Sequence, residues 1–353
     1  MKKYKNYDPN GPGLKNNNFI GLPFSKKDSE LIMFPVPWDV TTSYSDGTSS
    51  GPENILNASY QLDLLDINFP NAWHKGIYYE KSNKTIITKN NALRKKAKKY
   101  ISALEAGQRI EEHSDLLKIR KVINKESEML QQWVYKKTQK LLQKDKKVLL
   151  IGGEHSTPLG YLKALSGFHS NFGILQIDAH CDLRKSYEGL KYSHASIMYN
   201  VITEIPEVSK LVQVGIRDLC QEERDFSQSQ PDKIHTYFDQ KISLAKFKGE
   251  NWDRICKFLI EKLPDKVYIS FDIDGLSPVN CPNTGTPVPG GLSFNEAVYL
   301  IEKIHQSGRS VIGADLCEVA GIPHEFDGSI GARIAYKLGC VLLEGNSTST
   351  EKL

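Results

Sequence analysis

Cys-x-x-Cys pairs are missing from this 353-residue chain, although it has six cysteines, at 181, 220, 256, 281, 317 and 340. That spacing excludes a zinc knuckle or a thioredoxin-type site. A chain of this length does not depend on disulfides, so reduced thiols in a cytoplasmic protein are expected. Long apolar runs are missing too. No stretch reaches the 18 residues of a membrane-crossing helix, and no apolar segment follows the basic start Met1–Asp8, so no secretory leader and no membrane partner are expected. Net charge is small: 46 Lys+Arg against 42 Asp+Glu leaves +4. That is too little to argue for nucleic acid, and the lysine-rich segments Arg94–Lys99 and Lys144–Lys147 read as solvated helix faces.

The chain does have enough apolar residues, 39%, for a sizeable core. Residues 1–29, rich in Asn, Gly, Pro and Lys, read as an irregular arm on the surface or across a neighbouring subunit. Residues 30–345 read as one catalytic domain with a helical insert at about 92–146, and 346–353 as a frayed tail. Leu31–Phe34 is expected as the first strand. It is followed by a polar, glycine-punctuated loop, Thr41–Pro52, which is either an ordinary connection or a small-molecule loop past a strand's carboxyl end. A helix is expected at 52–60, while 61–90 shows no clear pattern. Strands are then expected at 147–152, 172–178, 210–216, 233–237, 266–272 and 310–316. Helices are expected at 157–166, 252–263, 294–306 and 329–344. Such alternation implies an α/β fold with a mainly parallel sheet covered on both faces.

Three apolar runs end in groups that can bind a metal. Ile174–Ile177 leads into Asp178, His180 and Asp182; Val267–Phe271 leads into Asp272 and Asp274; Val148–Ile151 leads into Gly152-Gly153-Glu154-His155. Side chains two apart leave the same face of an extended chain, so these groups would converge. Taken singly, each has a plainer reading: a capped strand end for Asp-x-His, a turn for Asp-x-Asp-Gly, a tight bend for Gly-Gly-Glu-His. Together they amount to two imidazoles and four carboxylates. That is too many ligands for one first-row ion, and it suits two Mn²⁺-like ions with bridging carboxylates. The direct reading is a binuclear metallohydrolase.

The motifs Gly152-Gly153-Glu154-His155-Ser156, Asp178-Ala179-His180-Cys181-Asp182 and Ser270-Phe271-Asp272-Ile273-Asp274-Gly275-Leu276 resemble those of the ureohydrolases, the family of arginase, agmatinase and formiminoglutamase. The resemblance implies a three-layer α/β/α sandwich, a trimer or hexamer, and two divalent ions, Mn²⁺ or alternatively Ni²⁺. It implies one ion on His155, Asp178, Asp182 and Asp272 and another on His180, Asp178, Asp272 and Asp274. It further implies that hydroxide attacks the guanidinium carbon to give urea and an amine. Asp182 would relay a proton to the leaving amine. His194 would shuttle protons at the mouth with a pKa near its ordinary value, and Glu318 would pair with the guanidinium.

The loop Leu183–Tyr192 lacks the Asn- and Ser-containing pattern of arginases and looks like agmatinase, as does Gly285–Leu292. Ser277 and Gly321 depart from the family's common residues, the latter at the substrate wall. Agmatine is therefore the expected substrate. Guanidine, guanidinobutyrate, arginine and formiminoglutamate are the alternatives, and a metal-stabilised binding scaffold is the non-enzymatic one.

Overall fold

The computed structural model describes residues 7–322 and 325–345. The expected tail, 346–353, lies outside the described residues. Among the described residues eight strands form one sheet: β1 (Leu31–Val36), β2 (Ile77–Tyr79), β3 (Lys147–Gly152), β4 (Phe172–Ile177), β5 (Val208–Ile216), β6 (Ile234–Phe238), β7 (Lys266–Asp272) and β8 (Ser310–Cys317). Their order is β2-β1-β3-β8-β7-β4-β5-β6, and each pairing is parallel.

Among the described residues ten helices cover the sheet: α1 (Gly51–Ser59), α2 (Lys84–Glu105), α3 (Ser114–Leu142), α4 (Leu159–Ser166), α5 (Ile197–Glu204), α6 (Gln221–Gln228), α7 (Asp239–Phe247), α8 (Trp252–Ile260), α9 (Phe294–Gln306) and α10 (Phe326–Glu344). The central strands are apolar at nearly every position because both faces are covered. Leu149, Ile151, Leu175, Ile177, Ile269 and Phe271 join the core under α1, α8, α9 and α10. Their alternates Val148, Leu150, Ile174 and Tyr268 join a second core under α2, α3, α4 and α5. The α/β/α sandwich is thus observed.

Local signals set several boundaries. Ser293 caps α9 while Glu296 reaches back to the Ser293 amide, a reciprocal cap worth about 1 kcal/mol. Pro52 sits in the first turn of α1, where a missing N–H costs nothing.

Two expectations are corrected. The arm is not irregular surface throughout: Phe19, Ile20 and Leu22 are buried. Asn18 takes the Tyr79 N–H at 2.7 Å and gives its amide to Ile77 O at 3.1 Å, clamping the segment to β2. Arg94 is not solvated like the lysines around it. It is buried and donates to the Thr42 and Val40 carbonyls at 2.6 and 3.3 Å, bracing the loop after β1. The stretch 61–90, which shows no clear pattern in the sequence, holds β2 and the start of α2.

The chain builds β1 and β2, returns to β3, then crosses to β4. β8 and β7 fill the gap later. Four neighbouring strands, β3, β8, β7 and β4, therefore end side by side, and their carboxyl ends frame a crevice where the strand order switches.

Candidate metal centre

Each motif leaves the end of one of these strands. Past β3 the chain bends at Gly153, where a Cβ would stand 2.2 Å from Trp38 O, so only glycine fits. This bend aims His155 into the crevice. Past β7, Gly275 lies so close to the start of the motif that follows β4 that a Cβ would come 2.6 Å from the Asp178 backbone nitrogen.

His155 is buried. Its Nδ1 lies 3.0 Å from Asp178 Oδ2, 3.0 Å from Asp182 Oδ2 and 3.4 Å from Asp272 Oδ2. Its Nε2 lies 2.9 Å from Ser270 Oγ and 3.7 Å from Asp315 Oδ1. With its oxygen accepting the Nε2–H, Ser270 leaves the Nδ1 lone pair free for a cation. His180, half-buried, has Nδ1 3.2 Å from Asp274 Oδ2 and 3.6 Å from Asp178 Oδ1.

Among the described residues, two groups bring donor atoms within 4.8 Å of one another: His155, Asp178 and Asp182, and Asp178, His180 and Asp274. Asp178 belongs to both. Asp272 stands beside the first group, with its Oδ1 accepting the Asp274 N–H at 2.9 Å. The six sequence-predicted ligands are thus gathered at one place. The backbone does not stay extended through the second motif, however. Asp182 has φ of 54°, a left-handed bend that turns the chain away after the last acid.

The centre has more buried carboxylate than cationic charge, and the proton affinities register it. Burial, then the Asp178 charge, pushes Asp182 up to about 7. Burial, then Asp274 and Asp178, holds Asp272 well above the usual carboxylate range. Burial works against charge on His155 and His180. For His155 the carboxylates of Asp178 and Asp182 outweigh it, for His180 those of Asp274 and Asp178, and both imidazoles end well above their ordinary value. His155 Nδ1 and Asp182 Oδ2 are buried and make no hydrogen bond. Orphaned buried polar atoms are costly, and nitrogen and oxygen donors facing one point without a thiolate fit a first-row divalent ion.

The other predicted residues flank this cluster. Glu318, also left-handed at φ 62°, accepts the His155 N–H through Oε1 at 2.8 Å. Its Oε2 is buried without a partner. His194 borders a cleft of about 140 Å³ together with His180, Asp182, Tyr187, Asp218 and Thr286. Its expected ordinary pKa is corrected. Burial, then the charge of His180, pushes the imidazole down to about 3, so it is neutral at pH 7. Cys181 packs inside.

Sequence reasoning missed several supports. Glu154 is buried and accepts the Thr41 N–H at 2.7 Å, the Thr41 hydroxyl at 2.8 Å and the Ser156 hydroxyl at 2.5 Å. Burial, opposed by these bonds, raises it to about 7. Thr41 Oγ1 also accepts the His194 N–H at 3.1 Å, and Ser43 from the same loop borders the cleft. Two larger cavities, about 430 and 620 Å³, flank β6, and none of the predicted ligands lines them. The small cleft is the one that reaches the acids.

Residues 29–343 match the family model described as Arginase family. Over 323 residues the chain is 28% identical to the N(1)-aminopropylagmatine ureohydrolase of Synechocystis sp., covering 89% of each chain. Over 305 residues it is 26% identical to an agmatinase of Bacillus cereus, covering 86% of this chain and 88% of the relative. The fold is similar to that of the agmatine ureohydrolase of Thermoplasma volcanium, with a TM-score of 0.69 at 20% identity over 93% of this chain and 95% of that one.

Proposed function

The chain belongs to the arginase family, hydrolases of guanidino C–N bonds, and from that premise we propose that it holds two Mn²⁺ ions and hydrolyses agmatine to putrescine and urea. The observation that carries this reading is the shared carboxylate: one oxygen of Asp178 faces His155 and the other faces His180. A carboxylate so placed is built to bridge. His155, Asp178, Asp182 and Asp272 would hold one ion, and His180, Asp178, Asp272 and Asp274 the other. When bound, such a pair supplies a strong water-derived nucleophile near neutral pH.

The residues around the centre do the rest. Glu318 Oε2, free of any hydrogen bond, accepts from the edge of the planar guanidinium, a charge-assisted contact. Asp182, which also borders the cleft, can carry a proton to the departing amine. Neutral His194 lines the cleft wall, where its ring can hydrogen-bond the departing amine. Asp218, an exposed carboxylate lining the same cleft, attracts the distal ammonium of agmatine. Arg184, a cation lining the cleft that could meet the carboxylate of arginine, is engaged: its guanidinium stacks 4.7 Å over Tyr187, with Nε 3.6 Å from Glu223. The name of the Synechocystis relative, which matches over 89% of both chains, supports a second reading, an agmatine extended by an aminopropyl group.

Urea release tests both. The Mn²⁺-loaded protein, and separately the Ni²⁺-loaded one, is assayed with agmatine, N(1)-aminopropylagmatine, arginine, guanidinobutyrate, formiminoglutamate and guanidine. The reading expects urea from agmatine or its aminopropyl derivative at the highest kcat/KM. Preference for a carboxylate-bearing guanidine would contradict the substrate. No urea from any of the guanidines, and no formamide from formiminoglutamate, would favour the binding scaffold.

A further inference from the structure

One side chain from each of three neighbouring strands meets in register: Gln176 on β4, Gln213 on β5 and Thr236 on β6. The hydrogen bonds along this row all run one way. Thr236 Oγ1 donates to Gln213 Oε1 at 2.7 Å, Gln213 Nε2 donates to Gln176 Oε1 at 2.7 Å, and Gln176 Nε2 donates to Asp178 Oδ2 at 2.8 Å. Two backbone carbonyls lock the direction. Gln213 Nε2 also donates to Cys181 O at 2.7 Å, and Gln176 Nε2 to His180 O at 3.3 Å. Carbonyls and carboxylates only accept, so flipping either amide would set oxygen against oxygen. The Thr236 proton is committed to Gln213, so Ser227 Oγ, 3.2 Å away, is the donor to Thr236.

Both glutamines are fully buried in a sheet whose other central positions are mostly apolar. An apolar residue at either place would avoid the cost of burying an amide. What the amides do instead is fix the second motif. They hold Asp178 Oδ2 and the carbonyls of His180 and Cys181, while the His180 N–H holds Asp178 Oδ1 at 2.7 Å. Both oxygens of the shared carboxylate are thereby aimed, and the backbone that carries His180 is tied to the same row.

We propose that Gln176, Gln213 and Thr236 are positioning residues, a one-way row of donors that presets Asp178 and the His180–Cys181 backbone in the geometry a metal pair requires. This rests on the two-metal reading given above. Partners that orient metal ligands typically change metal affinity by about 10–100-fold when removed. Thr236 sits on the edge strand, half-buried, and touches no predicted ligand, so its variants should fold.

The test uses the full chain with Thr236→Val, Thr236→Ser and Gln213→Met. Mn²⁺ affinity is read by calorimetry, the bridged pair by the exchange-coupled EPR signal of Mn²⁺, and metal-free stability by Tm. The row predicts that Thr236→Val weakens Mn²⁺ binding about fivefold, the worth of one hydrogen bond. Thr236→Ser, which keeps the hydroxyl, should stay within about twofold. Gln213→Met should weaken binding about 10–100-fold and lose the coupled signal, and the two Thr236 variants should share one metal-free Tm. The proposal is overturned if Thr236→Val matches Thr236→Ser and the wild type in affinity and EPR, or if affinity falls only in step with metal-free Tm. Should Gln213→Met not fold, the Thr236 pair decides. A wild-type protein that fails to bind two Mn²⁺ would sink the two-metal reading itself, a result distinct from intact binding with silent variants.

Discussion

His155 Nδ1 and Asp182 Oδ2 lie 3.0 Å apart, buried, and neither makes a hydrogen bond. Two such atoms must share a proton or a cation. A cation that binds the folded chain alone stabilises it by mass action, about 2.7 kcal/mol at a hundred times its Kd. Saturating Mn²⁺ should therefore raise Tm by about 4 °C in a protein of 353 residues, and EDTA should reverse the shift. A Tm indifferent to both contradicts the metal centre.

Asp178→Asn tests the shared ligand. It keeps the shape but removes the charge, and its amide would meet the Gln176 amide that now donates to Asp178. Turnover should fall at least about a thousandfold, about 4 kcal/mol of transition-state stabilisation. The far-UV CD spectrum should be unchanged. Full activity in this variant would reject the assignment.

Glu318→Gln separates substrate binding from metal binding. Its carbonyl can still accept the His155 N–H, but the charge for the guanidinium is gone. We expect kcat/KM for agmatine to drop about a hundredfold, as for loss of a buried charge-assisted contact, with Mn²⁺ stoichiometry intact. Loss of metal instead would move Glu318 into the ligand set.

Protons and metal should compete. In the metal-free chain His155 and His180 are held well above the ordinary imidazole value by the facing carboxylates against burial, and Asp182 is held at about 7. Metal requires their lone pairs bare, so binding releases protons. Affinity should rise as pH rises through 7 and fall below it. Calorimetry in buffers of different ionisation enthalpy measures the release, and an apparent enthalpy independent of buffer would contradict it.

Asp218→Asn should raise KM for agmatine about fivefold, the scale of an exposed charge pair, and leave kcat unchanged. Guanidine, which has no distal ammonium, should be unaffected. Equal effects on both substrates would remove Asp218 from the cleft's specificity.

The strands that carry the centre could be read because Val148–Ile151, Ile174–Ile177 and Val267–Phe271 are apolar runs closed by acids or glycine. β2 could not, since Ile77–Tyr79 is too short to have a period. The helices α5, α6 and α7 were missed for a related reason: each spans eight or nine residues, and Ile197–Glu204 is buried on too many sides to show a stripe. Phe19 and Ile20 were hidden by polar neighbours, and only the tertiary clamp at Asn18 draws them inside. In the centre, acids at alternate positions announced themselves. Thr41, paired with Glu154 across 113 residues, and the row Gln176–Gln213–Thr236 did not, because sheet order brings them together. The low pKa of His194 depends on burial and on His180, which no local spacing encodes.

The most direct test of the two-metal account is anomalous diffraction at the manganese edge from crystals of the Mn²⁺-loaded protein. The account predicts two peaks, one on each side of the Asp178 carboxylate. A single peak, or none among His155, His180 and the four aspartates, would contradict it.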